Sequence, residues 1–445
     1  MSIMLILQLI VLLGAIFLGV RIGGIGIGYA GGLGVIVLSL VLGMTPGNIP
    51  WDVILIIMSV IAAISAMQAA GGLDYLVQVA EKILRNNPKH INYLAPTITY
   101  LLTVFAGTGH TAFSMIPVIV EVAKGQNIKP SAPLSLAVVS SQIAITASPV
   151  SAAVIFLSGV LEPLGVSYPL LLLICIPTTY IGCMIAAFIV NKFYDLDLSK
   201  DPVYQERLAA GLIKKEENHT EKELPKGAKL SVLIFLIGVI AVVFYATAIS
   251  NNIKLIDPVI MKRDYAIVSF MLAVATIITL VCKIDIGNVP SLSVFKSGMT
   301  ACVCVLGVAW LGDTFVTGHV EEIKSFASSA VSKFPFLLAI ILAFAAMLLY
   351  SQAATAKAIM PAVILALGIT PENNDMVYVI VASFAAVSAL FVLPTYPTLL
   401  GAVQMDDTGS TRIGKYVFNH SFFVTGVMMI FFSVVLGFIV APILI

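Results

Sequence analysis

The run Ser351-Gln352-Ala353-Ala354-Thr355-Ala356-Lys357, closed by Pro361, sets hydroxyls, an amide and one full positive charge between two apolar stretches. Hydroxyl and amide groups donate hydrogen bonds to an anion, and a lysine meets one as a point charge. A cation among apolar residues is costly unless a counter-charge or a dipole compensates it, which makes Lys357 a functional-site candidate by default. A related run, Gly107 to Pro117, aligns on its closing proline, so that Thr111 falls with Thr355 and Ser114 with Ala358. Each run is followed by a polar, proline-containing interruption. Pro117 precedes Pro149 by 32 residues and Pro361 precedes Pro394 by 33.

The elements that must position these groups are membrane helices. Of 445 residues 60% are hydrophobic and 11% charged, and the mean hydropathy is +1.06. That is far more apolar surface than a soluble fold of this size needs. The net charge of +1 leaves no basic footprint for nucleic acid. Cys175, Cys183, Cys282, Cys302 and Cys304 lack zinc or disulfide spacing and read as small core residues, so no metal and no cofactor is expected. Met1 to Val20 has no basic n-region and reads as a first membrane helix.

Apolar runs at 3–20, 24–43 and 51–70 are each long enough to cross a hydrocarbon core of roughly 30 Å. Residues 71–90 read as an amphipathic helix at the interface. The two short runs of 91–123, split at Gly107-Thr108-Gly109 and flanked by basic residues at both ends, predict a re-entrant hairpin. Residues 132–162, interrupted by Ser140-Ser141-Gln142 and by Thr146 to Ser151 with Pro149, predict a broken span, and 168–191 a plain one. The stretch 193–229 is a charged linker; Asn218-His219-Thr220 matches a glycosylation acceptor without meaning in a cytosolic loop.

The second half repeats the pattern: spans at 230–250, 265–282 and 297–317, an interfacial stretch at 318–333, a hairpin at 335–368, a broken span at 376–402 around Pro394 and Pro397, and a closing span at 420–444. The expected fold is an all-α polytopic membrane protein of about ten spans plus two hairpins. It divides into a first repeat (1–192) and a second (230–445), and five spans per half inverts one against the other. Arg21, Lys82 to Lys89, Lys124, Lys129 and the linker fall on one side, which the positive-inside rule makes cytoplasmic and which puts both termini in the periplasm. Lys254, Lys262 and Arg263 run against that rule.

Inverted repeats with broken helices at matching positions are transporter architecture, with the site near the midplane. Helices restarting after Gly109, Pro149, Ala353 and Thr395 would present four N-termini, whose unpaired N–H groups favour an anion. The substrate-binding candidates are Thr108, His110, Thr111, Ser148, Ser151, Ser351, Gln352, Thr355, Lys357, Thr395 and Thr398, on backbone breaks made by Gly107, Gly109, Pro149, Pro394 and Pro397. Two such clusters suit a small dicarboxylate. Against this, hydroxyls in membrane helices often only bond the turn behind them, His110 could cap its helix, and Lys357 could be an ion pair with Asp313 or Asp406. Gly23 to Gly34 contain a superficial G-x-G-x-x-G, but inside a span they point to close helix packing. Asp406 and Asp407 read as loop carboxylates.

Gly23 to Gly28, Ala70 to Asp74, Phe105 to Gly109, Ile145 to Pro149, Ser351 to Lys357, Leu393 to Pro397 and Asp406 to Gly409 resemble the anaerobic C4-dicarboxylate transporter (Dcu) family of the ion transporter superfamily, in its DcuA type, over nearly the whole chain. The resemblance implies a bacterial inner-membrane carrier of fumarate, succinate, malate and L-aspartate by exchange or proton-linked uptake, with a hairpin-bearing domain moving against a scaffold. His110 stands where that family's pattern would more often have asparagine. Expected partners are small dicarboxylates and membrane lipid, with a homodimer as the assembly considered. The alternative is a sodium/proton or arsenite carrier of the same superfamily, which usually needs a midplane carboxylate. An intramembrane enzyme built on His110 and a serine finds no support in spacing.

Overall fold

A chain in a low-dielectric surround must satisfy its backbone polar groups internally, and helices do so within one segment. The computed structural model is accordingly helical. It describes residues 3–22, 25–49, 51–213, 223–250, 253–319, 321–322, 331, 333–349, 351–394, 396–416 and 418–445; of residues 20, 27, 110, 111, 297, 301, 348 and 358 it describes only the backbone. Among the described residues there are isolated bridges but no strand.

The first half comprises α1 (Ile3–Ile22), α2 (Gly26–Ile36, continued by a π turn Val37–Val41), α3 (Trp51–Ala69), α4 (Gly72–Asn86), α5 (Ile91–Ala106), α6 (Ile116–Gly125), α7 (Ser131–Ile143), α8 (Ala152–Leu161) and α9 (Tyr168–Phe193). A short α10 (Pro202–Ala209) lies in the linker. The second half comprises α11 (Ala228–Ala248), α12 (Arg263–Cys282), α13 (Ser293–Gly318), α14 (Leu337–Leu349), α15 (Gln352–Ala366), α16 (Val377–Ser383), α17 (Pro397–Met405) and α18 (Phe423–Leu444). Among the described residues seven helical runs are long and apolar enough to cross a membrane, with Ser131–Leu164 counted as one. Exposed apolar side chains such as Phe17, Ile240, Phe244, Leu280 and Ile443 coat the outer helices, as lipid-facing surfaces require.

Twice the chain runs helix, break, helix, and then helix, 3₁₀ stretch, extended residues, helix. The breaks differ in detail from the sequence expectation. No helix restarts directly after Gly109: a 3₁₀ stretch, Gly109–Met115, comes first, and α6 begins at Ile116 with Pro117 in its first turn. In the second hairpin α15 starts at Gln352, before Ala353, because Ser351 caps it. The second broken span contains a 3₁₀ stretch, Phe384–Phe391, ahead of Pro394, and α17 opens on Pro397, whose missing N–H costs nothing there. The last helix begins at Phe423, three residues later than expected. Gly23, Gly24, Asn218 and most of the 318–333 stretch lie outside the described residues.

α4 is amphipathic as its pattern predicts, burying Leu73, Ala80 and Leu84. Its Arg85 bonds Glu81 at 2.6 Å and Glu121 of α6 at 2.9 Å. Burial opposes the Arg85 charge, but these two carboxylates outweigh it and raise the pKa. α1, α2, α3, α11, α12 and α13 pack among themselves, whereas α5 to α9 pack with α14 to α18; the groups meet where α3 lies on α8 and α13 on α15.

The glycines of α2 serve close packing. A Cβ on Gly31 would collide with the backbone of Gly307 in α13, and one on Gly28 with that of Val303, whereas one on Gly32 would meet nothing within 4 Å. Overpacking of this kind costs about 1–3 kcal/mol. Gly31→Val should therefore lower the thermal unfolding midpoint in detergent by several degrees, while Gly32→Ala leaves it level or raises it.

Candidate functional site

The first pair of breaks is built by hydrogen bonds that replace those a continuous helix would have made. Gly107 ends α5 in a left-handed conformation, φ +69°, its N–H donating to Thr103 O at 2.8 Å. A Cβ there would stand 3.0 Å from Val150 O, so the hairpin tip sits directly on the break between α7 and α8. Ser148 Oγ donates to Val104 O at 2.6 Å, and Tyr168 OH to Pro149 O at 2.7 Å. Ser151 caps α8, accepting from Val154 N at 3.2 Å and donating to Ile145 O at 2.7 Å. Thr108 is half-buried at the tip.

The second pair is built alike. Ser351 Oγ accepts from Ala354 N at 3.2 Å, and Thr355 Oγ1 donates back to Ser351 O at 2.7 Å. The 3₁₀ stretch 384–391 packs against α14 and α15. Thr398 is fully buried one residue into α17. Thr395 lies outside the described residues, as do the side chains of His110 and Thr111.

The two pairs meet at Gln142, which sequence reasoning treated only as part of an interruption. This fully buried amide accepts at its backbone oxygen from Gln352 Nε2 at 3.3 Å and from Ser388 Oγ at 3.1 Å, and donates through Nε2 to Thr398 Oγ1 at 3.5 Å. A Cβ on Gly109 would stand 2.5 Å from Gln142 Nε2. Gln142 thus joins the first hairpin tip, the start of α15, the start of α17 and the 3₁₀ stretch. The signal was its type: a glutamine amide buried among apolar residues needs several partners, and only other polar breaks could supply them.

Among the predicted ligands the structure separates two kinds. Ser148, Ser151 and Thr355 donate their one hydroxyl proton to backbone carbonyls and are engaged in holding the breaks. Ser351 and Thr398 act as acceptors, and no acceptor for their own protons occurs among the described residues. An anion at the junction would find those protons, together with the first N–H groups of α15 and α17.

Lys357 does not face this junction. At about 100° per residue it lies roughly 140° around α15 from Gln352. It points instead to α3, where it pairs with Asp52 Oδ1. Asp52 stands in the first turn of α3, where a carboxylate is favoured by the helix dipole. Neither carboxylate considered from sequence is the partner: Asp313 Oδ2 accepts from Asn48 N at 2.5 Å, and Asp406 is buried, accepting from Thr411 N at 2.7 Å and Ser410 Oγ at 2.9 Å.

The linker end is polar and tied down. Lys124 pairs with Asp407 at 2.9 Å, and Arg207 donates to Asp407 O at 3.0 Å. Hydrogen bonds from Ser199, with others from Asn127 and Lys200, hold the Asp197 carboxyl down at about 2. No group of three His, Cys, Asp or Glu occurs among the described residues, and the five cysteines are free.

Discontinuous helices meeting end-on around a buried amide, within a bundle of long apolar helices, define the chain as a polytopic membrane transporter. More particularly, it belongs to the anaerobic C4-dicarboxylate membrane transporter family, whose profile matches residues 4–445. It is 67% identical over 441 residues to the C4-dicarboxylate transporter DcuA of Wolinella succinogenes, covering 99% of this chain and 100% of that one. To the protein of the same name from Helicobacter pylori strain J99 it is 66% identical over 435 residues, 98% of each. The fold is similar to the crystal structure of the Alcanivorax borkumensis YdaH transporter, with a TM-score of 0.54 at 13% identity over 92% of this chain and 86% of that one. The chain is a multi-pass membrane transporter and not an enzyme.

Gln142→Ala keeps the backbone oxygen but removes the side-chain partner of two buried polar groups, Thr398 Oγ1 at 3.5 Å and Gln352 Nε2 at 3.4 Å, each worth about 1–3 kcal/mol when left unmade. It should lower the transport rate at least tenfold in correctly inserted protein. Ser151→Ala should cost about 1 kcal/mol of stability as a lost cap while leaving KM unchanged; thermal unfolding and transport kinetics on the two variants check both.

Proposed function

We propose that the protein carries four-carbon dicarboxylates, with fumarate, succinate, malate and L-aspartate as the substrate set, across a bacterial inner membrane by exchange or proton-linked uptake. The observation that carries this reading is the approach of the α15 and α17 N-termini on either side of Gln142, with the Ser351 and Thr398 protons unengaged among the described residues. Each N-terminus carries about half a positive charge. Two of them suit a ligand with a carboxylate at either end. The names of the relatives point to the same substrate class. A sodium/proton or arsenite carrier finds less support, since 131–161 and 377–405 contain neither Asp nor Glu.

In this reading residues 1–192 and 230–445 are inverted repeats around the cytoplasmic linker 193–229, with both termini periplasmic. α1 to α3 and α11 to α13 form the scaffold, against which the hairpins and broken helices move as one part in an elevator-like cycle. Their separate packing supports that division. Lys357–Asp52 spans the boundary and must part as the hairpins move. An empty site lined by helix N-termini moves less readily than one neutralised by a dianion, which favours exchange.

Counterflow tests the reading. Proteoliposomes loaded with unlabelled fumarate should take up labelled L-aspartate or succinate rapidly without an imposed gradient, and liposomes lacking internal dicarboxylate should not. No uptake by correctly inserted protein would refute dicarboxylate carriage. Lys357→Ala should alter turnover more than KM, because the lysine faces the boundary and not the junction; unaltered turnover would make Lys357–Asp52 a purely structural pair.

A further inference from the structure

The junction at Gln142 holds one group that neither the fold nor a carboxylate accounts for. Gln352 is the first residue of α15, and it is only 6% exposed. Its Nε2 donates to the backbone oxygen of Gln142 at 3.3 Å and to Gln142 Oε1 at 3.4 Å. A backbone oxygen can only accept, so this contact fixes which end of the Gln352 amide carries the N–H groups. The other end, Oε1, has no donor among the described residues.

The neighbouring polar groups are already engaged. Gln142 Oε1 accepts from Gln352, Gln142 Nε2 donates to Thr398 Oγ1, and the same Gln142 side chain is hydrogen-bonded to the buried hydroxyl of Tyr396, the residue before α17. The Ser388 hydroxyl donates to the Gln142 carbonyl at 3.1 Å. A buried acceptor without a donor is costly, and most such atoms in folded proteins are paired. A carboxylate cannot pair this one, because an amide oxygen has no proton to give and its negative end repels an anion. The hydroxyl protons and helix N-termini around it do suit carboxylates, so the acceptor stands out among donors. Residues 131–161, 351–361 and 377–405 contain neither Asp nor Glu, which leaves a neutral dipole to meet whatever donor arrives.

We infer that Gln352 Oε1 reads a hydrogen-bond donor on the second carbon of the substrate, the hydroxyl of a 2-hydroxy or the ammonium of a 2-amino four-carbon dicarboxylate, while the carboxylates take the helix N-termini. The inference rests on the transport reading above and deepens it. Within the proposed substrate set L-malate and L-aspartate carry such a donor, and fumarate and succinate do not. The unsubstituted pair leaves room for a water, which bonds the oxygen in place of the substituent. A methyl group on the second carbon fills that room and donates nothing. Sites built to bond a substrate hydroxyl or N–H reject the analogue that lacks it far more strongly than apolar pockets reject a missing methylene.

The test is competition against labelled fumarate in counterflow by the wild-type protein, using L-malate, L-aspartate and methylsuccinate of matching configuration, which has a methyl group where the other two have their donor. The better of L-malate and L-aspartate should inhibit at least about tenfold more strongly than methylsuccinate, and which of them is better tells whether the hydroxyl or the ammonium is the preferred donor. Gln352→Met keeps the length of the side chain without the acceptor. Whatever it does to affinity as a whole, it should bring that ratio to within about twofold of unity, whereas a merely structural defect weakens every inhibitor alike and keeps the ratio. Methylsuccinate as strong as L-malate and L-aspartate in wild type, or an inserted Gln352→Met protein with the wild-type ratio, would overturn the assignment; the wild-type arm decides by itself if the variant does not insert. The same ranking is readable without transport, as the rise in thermal unfolding midpoint that each ligand gives in detergent. A protein that binds in this order yet shows no fumarate counterflow would therefore refute carriage and leave the subsite standing.

Discussion

A helix cannot be interrupted inside a membrane protein without leaving backbone N–H and C=O groups that no water will meet, and the rest of this structure depends on how those groups are satisfied. Val104 and Ile145 carbonyls take protons from Ser148 and Ser151, the Pro149 carbonyl from Tyr168, and the Gln142 carbonyl from Gln352 and Ser388. The N–H groups of Val154 and Ala354 are met by Ser151 and Ser351. Each such group left alone would cost about 1–3 kcal/mol. Polar side chains near the breaks are thus first a condition of the fold, and what can recognise a substrate is what remains after the breaks are closed: a few hydroxyl protons, one amide and the free ends of helices.

Charge is distributed by a second logic. The pair at Lys357 and Asp52 is partly open to its surroundings, with 23% and 40% of the two side chains exposed. Half-exposed pairs contribute about 0–1 kcal/mol, so this one can part and re-form at little cost. Arg263 and Glu162 are 10% and 13% exposed. Removing one partner of a well-buried pair costs about 3–5 kcal/mol, which makes this the stiffer tie of the two.

Most of the helices were legible because their signals are local. Hydrophobic run length placed α1 to α3, α9, α11 to α13 and α18 to within a few residues, and Gly107, Pro149, Ser351 and Pro397 marked the four breaks. The 3₁₀ stretches 109–115 and 384–391 were not legible, since their residues suit an α-helix as well and the tighter winding is imposed by packing against α5 and α7 in one case and α14 in the other. The role of Gln142 and the Asp52 partner of Lys357 were hidden for a different reason. Both depend on residues far away in the chain, 305 positions in the case of Asp52, and periodicity carries no such information.

The boundary between the two helix groups is mostly apolar. One continuous cluster of buried side chains runs from α3, α11 and α12 through α8 into α15 and α16. Apolar contact is non-directional, so a row of side chains displaced by one helical turn can find equivalent neighbours. Ion pairs cannot, because each cation has one partner at one height. Among the described side chains the pairs that tie the groups together are Lys357–Asp52, Arg263–Glu162 and, through the α4 arm, Arg85–Glu121. The apolar surface therefore sets which positions are sterically open to a sliding motion, and these few charges select which of them is occupied.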